Sequence, residues 1–140
     1  MHTQIWMSGP VIEITLRGSD PDSAPVPLQA IVDTGASGIC IDRRIALNLG
    51  LISSNRPRVE MADGTIVQAT AYRAVMKVAG LHFDDWVEVT AFEMALPSSR
   101  VLLGRSFLRR YSINYDGPTE TFYWYNANSG RLSDYADHDE

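Results

Sequence analysis

Asp33-Thr34-Gly35 is the stretch of this chain with the clearest chemical use. A short apolar run, Leu28 to Val32, leads into it, and a second, Ile39 to Ile41, follows. The pattern delivers a carboxyl group at the end of a buried strand, on a tight turn. Burial and neighbouring charge tune such groups into acids and bases. Peptide hydrolysis by carboxyl groups needs two of them. One carboxylate takes a proton from water, and one carboxylic acid polarises the scissile carbonyl. Two like charges about 3 Å apart cannot both ionise, so the pair shares one proton. This chain has a single Asp-Thr-Gly and no internal repeat. Asp63-Gly64 and Asp116-Gly117 lack the middle threonine and read as turns.

Other chemistries fare worse. His2, His82 and His138 are scattered, with no His-x-x-x-His or Cys-x-x-Cys spacing, so no metal is expected and lone surface histidines are the better account. A serine triad has no Gly-x-Ser-x-Gly to build on. Cys40, the one cysteine, lies among apolar residues, reads as a buried core thiol and has no partner for an internal disulfide. Trp6, Trp86, Tyr123 and Trp124 read as core or interface packing before ligand stacking.

The elements that must hold Asp33 can be read in order. Ile12, Ile14 and Leu16 alternate with polar residues, the period of a half-buried strand. Gly18 to Pro27 reads as a loop, followed by strands over 28–32 and 39–42. Asp42 to Gly50 reads as a short helix, capped by Asp42, ended by Gly50, with Ile45, Leu47 and Leu49 as its apolar surface. Ser53 to Pro57 reads as a loop. Residues 59–76 read as a long β-hairpin turning at Asp63-Gly64, with arms Arg58–Ala62 and Thr65–Met76. A second hairpin follows, from Val75 to Thr90, with Asp84, Asp85 and Glu88 facing water. Pro97-Ser98-Ser99 is expected to turn and Val101 to Leu103 to form a short buried strand. A helix over Arg105–Tyr111, then strands over 112–116 and 121–125, complete the pattern. From Asn126 the chain turns polar, and Asp134 to Glu140 reads as an acidic tail, giving one domain over 1–126 and a tail over 127–140.

Composition sets the background. The 140 residues suffice for one real core, 45% apolar content is ordinary for a folded domain, and the net charge of −5 with no basic block argues against a nucleic-acid partner. No apolar run approaches the roughly 20 residues of a membrane span. The N-terminus lacks the regions of a signal peptide. A soluble, cytoplasmic protein that does not engage membranes is therefore expected.

Asp33-Thr34-Gly35 and the downstream Val101-Leu102-Leu103-Gly104-Arg105 together resemble the retropepsin-like aspartic proteases, the single-lobe relatives of pepsin. The resemblance covers roughly residues 10–116. It implies a mainly β, single-lobe acid-protease barrel with a flap hairpin and one or two short helices. Asp33 would be the catalytic aspartate, Thr34 and Gly35 would shape its loop, and Ala36, Ser37 and Gly38 would run beside the substrate backbone. Asp63, Gly64 and Thr65, at the tip of the flap, would cover it. The Gly104-Arg105 stretch would pack beside the Asp33 loop. A single lobe holds half a dyad, so a two-fold homodimer would complete it, with a peptide or protein as substrate and no cofactor. The alternative is a dimerisation or peptide-binding module that keeps this fold without proteolysis.

Two departures stand out. Ser37 occupies the place of an acidic residue that in viral members pairs with the arginine of the Gly-Arg motif. Arg105 is then expected to find another acid, with Asp42 and the C-terminal segment as candidates. Ala36 stands where pepsin-like enzymes carry serine, which predicts an activity optimum less acid than pepsin's. The run over 121–125 extends past the family's expected end and is expected to reshape the dimer sheet or to replace the usual terminal-strand interface.

Overall fold

Alternation along β2 (Gly9–Arg17) sets the first wall of the molecule: Ile14 and Leu16 are buried, and Glu13 between its neighbours is exposed. The computed structural model describes residues 2–6, 9–94 and 100–126. After β1 (His2–Trp6) and β2 come β3 (Val26–Val32), β4 (Ile39–Asp42), α1 (Arg43–Leu49) and β5 (Ile52–Asn55). Next are β6 (Arg58–Glu60), β7 (Ile66–Gln68), β8 (Thr70–Val78) and β9 (Phe83–Phe92), the last two joined by a 3-10 turn at Ala79–Leu81. The described chain ends with β10 (Arg100–Leu103), α2 (Arg105–Leu108), β11 (Tyr111–Asp116) and β12 (Thr121–Asn126).

Six strands close into a barrel in the order β2-β3-β10-β4-β9-β8, with β8 returning to β2. Closure removes the exposed edges that an open sheet would present. Leu16, Ala30, Ile41, Met76, Val78, Val89, Val101 and Leu103 fill its interior. Phe107 of α2 packs into the same core. A smaller cluster of Cys40, Ala69, Phe92 and Met94 takes in Val59, Met61 and Val67 from β6, β7 and their turn, along with Leu102. The fold is mainly β with two short helices, as the resemblance implies.

The helix α1 follows its local signals. The Asp42 side chain accepts from the Arg44 N–H, and Gly50 ends the helix in the left-handed region. Of its expected apolar face, however, Leu47 is exposed, and Ala46 is buried instead. Four other expectations change. Residues 52–55 form a strand on β8 rather than a loop, and Ser54 adds a hydroxyl bond to the Ala71 carbonyl. Every residue of β5 is exposed, so no alternation betrays it. The long hairpin is cut at Ala69. There β6 and β7 separate as a two-stranded sheet, and β8 leaves to join β2, β5 and β9. Helix α2 is shorter than expected, because Tyr111 is drawn into β11 against β12. The loop after β2 ends before Val26, which pairs with Leu16. The expected turn at 97–99 and the tail over 127–140 lie outside the described residues.

The C-terminal strands extend the barrel sheet sideways. β12 lies between β11 and β1, and β1 pairs on to β2. Aromatic contacts tie this wing to the core. Phe107 meets Tyr111 at 5.4 Å between ring centroids, and Tyr111 meets Trp124 at 5.6 Å.

Candidate active site

β10 runs between β3 and β4, parallel to the first and antiparallel to the second. The loop joining β3 to β4 must therefore cross the end of β10. Asp33 stands at the start of that crossing. Its backbone N–H donates to the Leu103 carbonyl at 3.0 Å, and its own carbonyl accepts from the Ala36 N–H at 3.2 Å. The carboxylate accepts the Gly35 N–H on Oδ1 at 2.9 Å. The turn thus holds its acidic side chain from within, half-buried, while Thr34, Gly35 and Ser37 are exposed.

The chain that leaves β10 clamps the same loop from below. The Arg105 and Ser106 N–H groups donate to the Ala36 and Ser37 carbonyls, each at 2.9 Å. Gly104 makes this approach possible. A Cβ there would collide with the Gly38 carbonyl oxygen and stand 2.6 Å from that of Ala36. Its backbone is extended, so the demand is for space, not for an unusual φ. Among the described residues Arg105 does not pair with an acid, and the C-terminal segment over 127–140 lies outside them. The Arg105 Nη1 donates to the Thr34 carbonyl at 2.7 Å, a third tie on the Asp33 loop. Asp42 is engaged elsewhere, with Arg44 Nε at 3.0 Å and the Met94 N–H at 3.3 Å. Arg44, two residues away, reaches Asp42 before Arg105 does, and the hydrogen bond from Arg44 holds the Asp42 carboxyl down at about 2.

The expected site residues thus fall into two groups. Asp33, Thr34, Gly35, Ala36, Ser37 and Gly38 form one loop, bonded to Gly104–Ser106. Asp63, Gly64 and Thr65 form the tip of the β6–β7 hairpin, whose bonds stay within it. The Met61 N–H donates to the Thr65 carbonyl, the Gly64 N–H to the Met61 carbonyl and the Thr65 N–H to Asp63 Oδ1. Gly64 has φ +86, the left-handed residue that such a turn requires. Bonds from Thr65 pull the Asp63 carboxyl below its ordinary range. The base of this hairpin packs on the cluster that contains Cys40. Burial, and then the Asp33 charge, push the Cys40 thiol up to about 11. Cys40 is therefore a protonated apolar neighbour of the Asp33 site, and nothing in its local sequence could place it so. Among the described residues no group of three His, Cys, Asp or Glu side chains could hold a metal. His82 sits on the turn between β8 and β9, and no helix is long and apolar enough to cross a membrane.

Comparison with known proteins bears on the family and the fold. Residues 24–110 match a family described as "gag-polyprotein putative aspartyl protease". No curated protein matches the chain. Among solved structures, a retropepsin-like aspartic protease from Rickettsia conorii is similar with a TM-score of 0.58. The two are 17% identical over 89% of this chain and 88% of that one. The retroviral protease-like domain of Ddi1 from Leishmania major aligns at 16% identity and a TM-score of 0.45, covering 81% of this chain and 87% of its own. At such identity the Rickettsia likeness speaks to the fold, which is retropepsin-like.

Proposed function

The chain belongs to the gag-polyprotein aspartyl protease family, and on that premise we propose that it is an aspartic endopeptidase working as a homodimer. One observation carries the reading: a half-buried carboxylate on a loop fixed at four backbone points, by Leu103, Arg105, Ser106 and the Arg105 guanidinium. Such fixation suits an acid–base group, since about 1 Å of misplacement can cost roughly 10²-fold in rate.

Two copies supply two Asp33 side chains, which share one proton. The ionised one takes a proton from water as the water oxygen attacks the scissile carbonyl carbon. The protonated one donates to the carbonyl oxygen. The tetrahedral intermediate then collapses as the amide nitrogen accepts a proton and the C–N bond breaks. Thr34 and Gly35 keep the loop in shape, and Ala36, Ser37 and Gly38 offer backbone groups to an extended peptide. The β6–β7 hairpin, joined to the barrel through a small apolar cluster, is suited to swing over the substrate at its Asp63-Gly64-Thr65 tip.

The test is cleavage of a peptide library by wild type and Asp33→Asn, with molar mass followed by light scattering. Wild type is expected to cleave and the variant to lose at least about 10³-fold in kcat with unchanged fold and mass. A purified Asp33→Asn protein that still cleaves would falsify the assignment. A folded wild type that cleaves nothing would point to the non-proteolytic module.

A further inference from the structure

The outer wall of the barrel carries a cavity of about 540 Å³ that the Asp33 chemistry leaves unused. It lies between β9 and α2 and reaches the far end of the Asp33 loop at Ser37 and Gly38. Along β9, Val87 and Val89 are buried in the core, so the residues that alternate with them, Glu88 among them, line the cavity from the outer face. Arg109 and Arg110 line it from the turn that follows α2. A volume of this size suits a stretch of peptide or a small organic molecule rather than a lone ion.

Arg110 gives this cavity its chemistry. Its guanidinium carbon stacks 5.2 Å from the centroid of the Phe83 ring. Phe83 is braced edge-on by the buried Phe107, at 5.1 Å between centroids, so the platform under the guanidinium is packed against the core. Stacking occupies the face of a guanidinium and leaves its N–H edge open to an acceptor. The Arg110 Nε on that edge is buried and finds no hydrogen-bond partner among the described residues. A buried donor left unpaired is costly, and a carboxylate can meet a guanidinium edge with two parallel hydrogen bonds. Arg109, exposed beside it, adds a second positive charge. Glu88 stands on the β9 wall, but it faces Arg73 directly across the β8–β9 ladder, opposite charge against opposite charge. The balance favours one carboxylate, held by Arg110.

The place of the cavity points to the source of that carboxylate. Ser37 and Gly38 belong both to the cavity and to the loop that, on the protease reading of Asp33, runs beside the substrate backbone. A peptide that passes Ser37 and Gly38 away from Asp33 reaches the cavity next. We infer that this cavity anchors an acidic side chain of the substrate polypeptide, outside the cleft, with the Arg110 guanidinium as the group that holds it. The inference rests on the protease reading for the identity of the ligand, and its test reads binding to a protein that does not cleave.

A randomised dodecapeptide display library is panned on immobilised Asp33→Asn protein. The retained peptides are expected to be enriched in Asp or Glu at one position, at least about threefold over the input. Replacing that acid by its amide in a synthetic copy is expected to weaken Kd at least about tenfold. Adding Arg110→Met, whose side chain still packs on Phe83, is expected to abolish both effects with an unchanged circular dichroism spectrum, and Arg110→Lys to restore part of the affinity. Glu88→Gln, a change on an exposed side chain, is expected to tighten the acidic peptide by about threefold, and it keeps the test decisive if Arg110→Met fails to fold. Retained peptides with no acidic preference overturn the inference, as does a preference that Arg110→Met and Glu88→Gln both leave unmoved. Free glutarate that binds as tightly as the peptides also overturns it, because the cavity would then be a site for a small acid. A wild type that cleaves nothing, while Asp33→Asn still selects acidic peptides through Arg110, removes the protease reading and keeps the carboxylate site.

Discussion

One added methyl group is the sharpest probe of the Asp33 loop. Gly104→Ala would drive a Cβ into the Gly38 and Ala36 carbonyls, which are rigid backbone rather than a yielding side chain. The substitution is expected to cost about 3 kcal/mol or more and to displace Asp33, with activity falling further than stability explains. Chemical denaturation paired with kcat measurement checks this, and a variant within about 0.5 kcal/mol of wild type would contradict the packing described. Cys40 offers a second probe at this scale. With its thiol pushed up to about 11 by burial and by Asp33, it is expected to resist alkylation at pH 8 in the folded protein and to react once unfolded. Rapid modification of the native chain, followed by mass spectrometry, would refute that placement.

At the scale of elements, α1 depends on Asp42. This carboxylate is almost wholly buried, caps the helix, pairs with Arg44 and accepts the Met94 N–H just beyond β9. It therefore joins helix to barrel. Its ordinary value of 3.8 falls to about 2 in the fold, with the Arg44 hydrogen bond as the largest cause. A depressed carboxylate contributes its full stability above its unfolded value and loses it as pH falls through the folded one. Wild type is thus expected to lose Tm between about pH 4 and about pH 2 more steeply than Asp42→Asn does. Asp42→Ala is expected to cost about 2 kcal/mol at neutral pH, or roughly 5–10 °C in Tm. Equal acid slopes in wild type and Asp42→Asn would remove this role.

For the whole molecule, the proposed function makes activity a property of the assembly, because each chain carries one Asp33 loop. Specific activity is expected to fall on dilution below the dimer dissociation constant, in step with the mass measured by light scattering. The assembled site is also expected to work at less acid pH than pepsin. Ala36 brings no hydroxyl to hold a carboxylate ionised, so the acid limb of kcat/KM should lie at higher pH than pepsin's. A rate maximum as acid as pepsin's would contradict the role given to Ala36.

What this sequence determines alone is what neighbouring residues can encode. The alternation of Ile12, Ile14 and Leu16, the caps Asp42 and Gly50, the turn at Asp63-Gly64 and the acidic loop at Asp33 are all legible, because period and turn chemistry live within a few residues. Together with the Gly104-Arg105 stretch they point to the right fold. The tertiary structure decides what distant residues settle between them. β5 is a strand only because β8 offers it a ladder, and its uniform exposure erases the burial pattern that would reveal it. The expected long hairpin breaks at Ala69 because β8 has three partners in the barrel sheet. Arg105 turns to the Thr34 carbonyl because Arg44 already occupies Asp42. Gly104 must be glycine because β10 threads between β3 and β4 and leaves the crossing loop no room for a side chain.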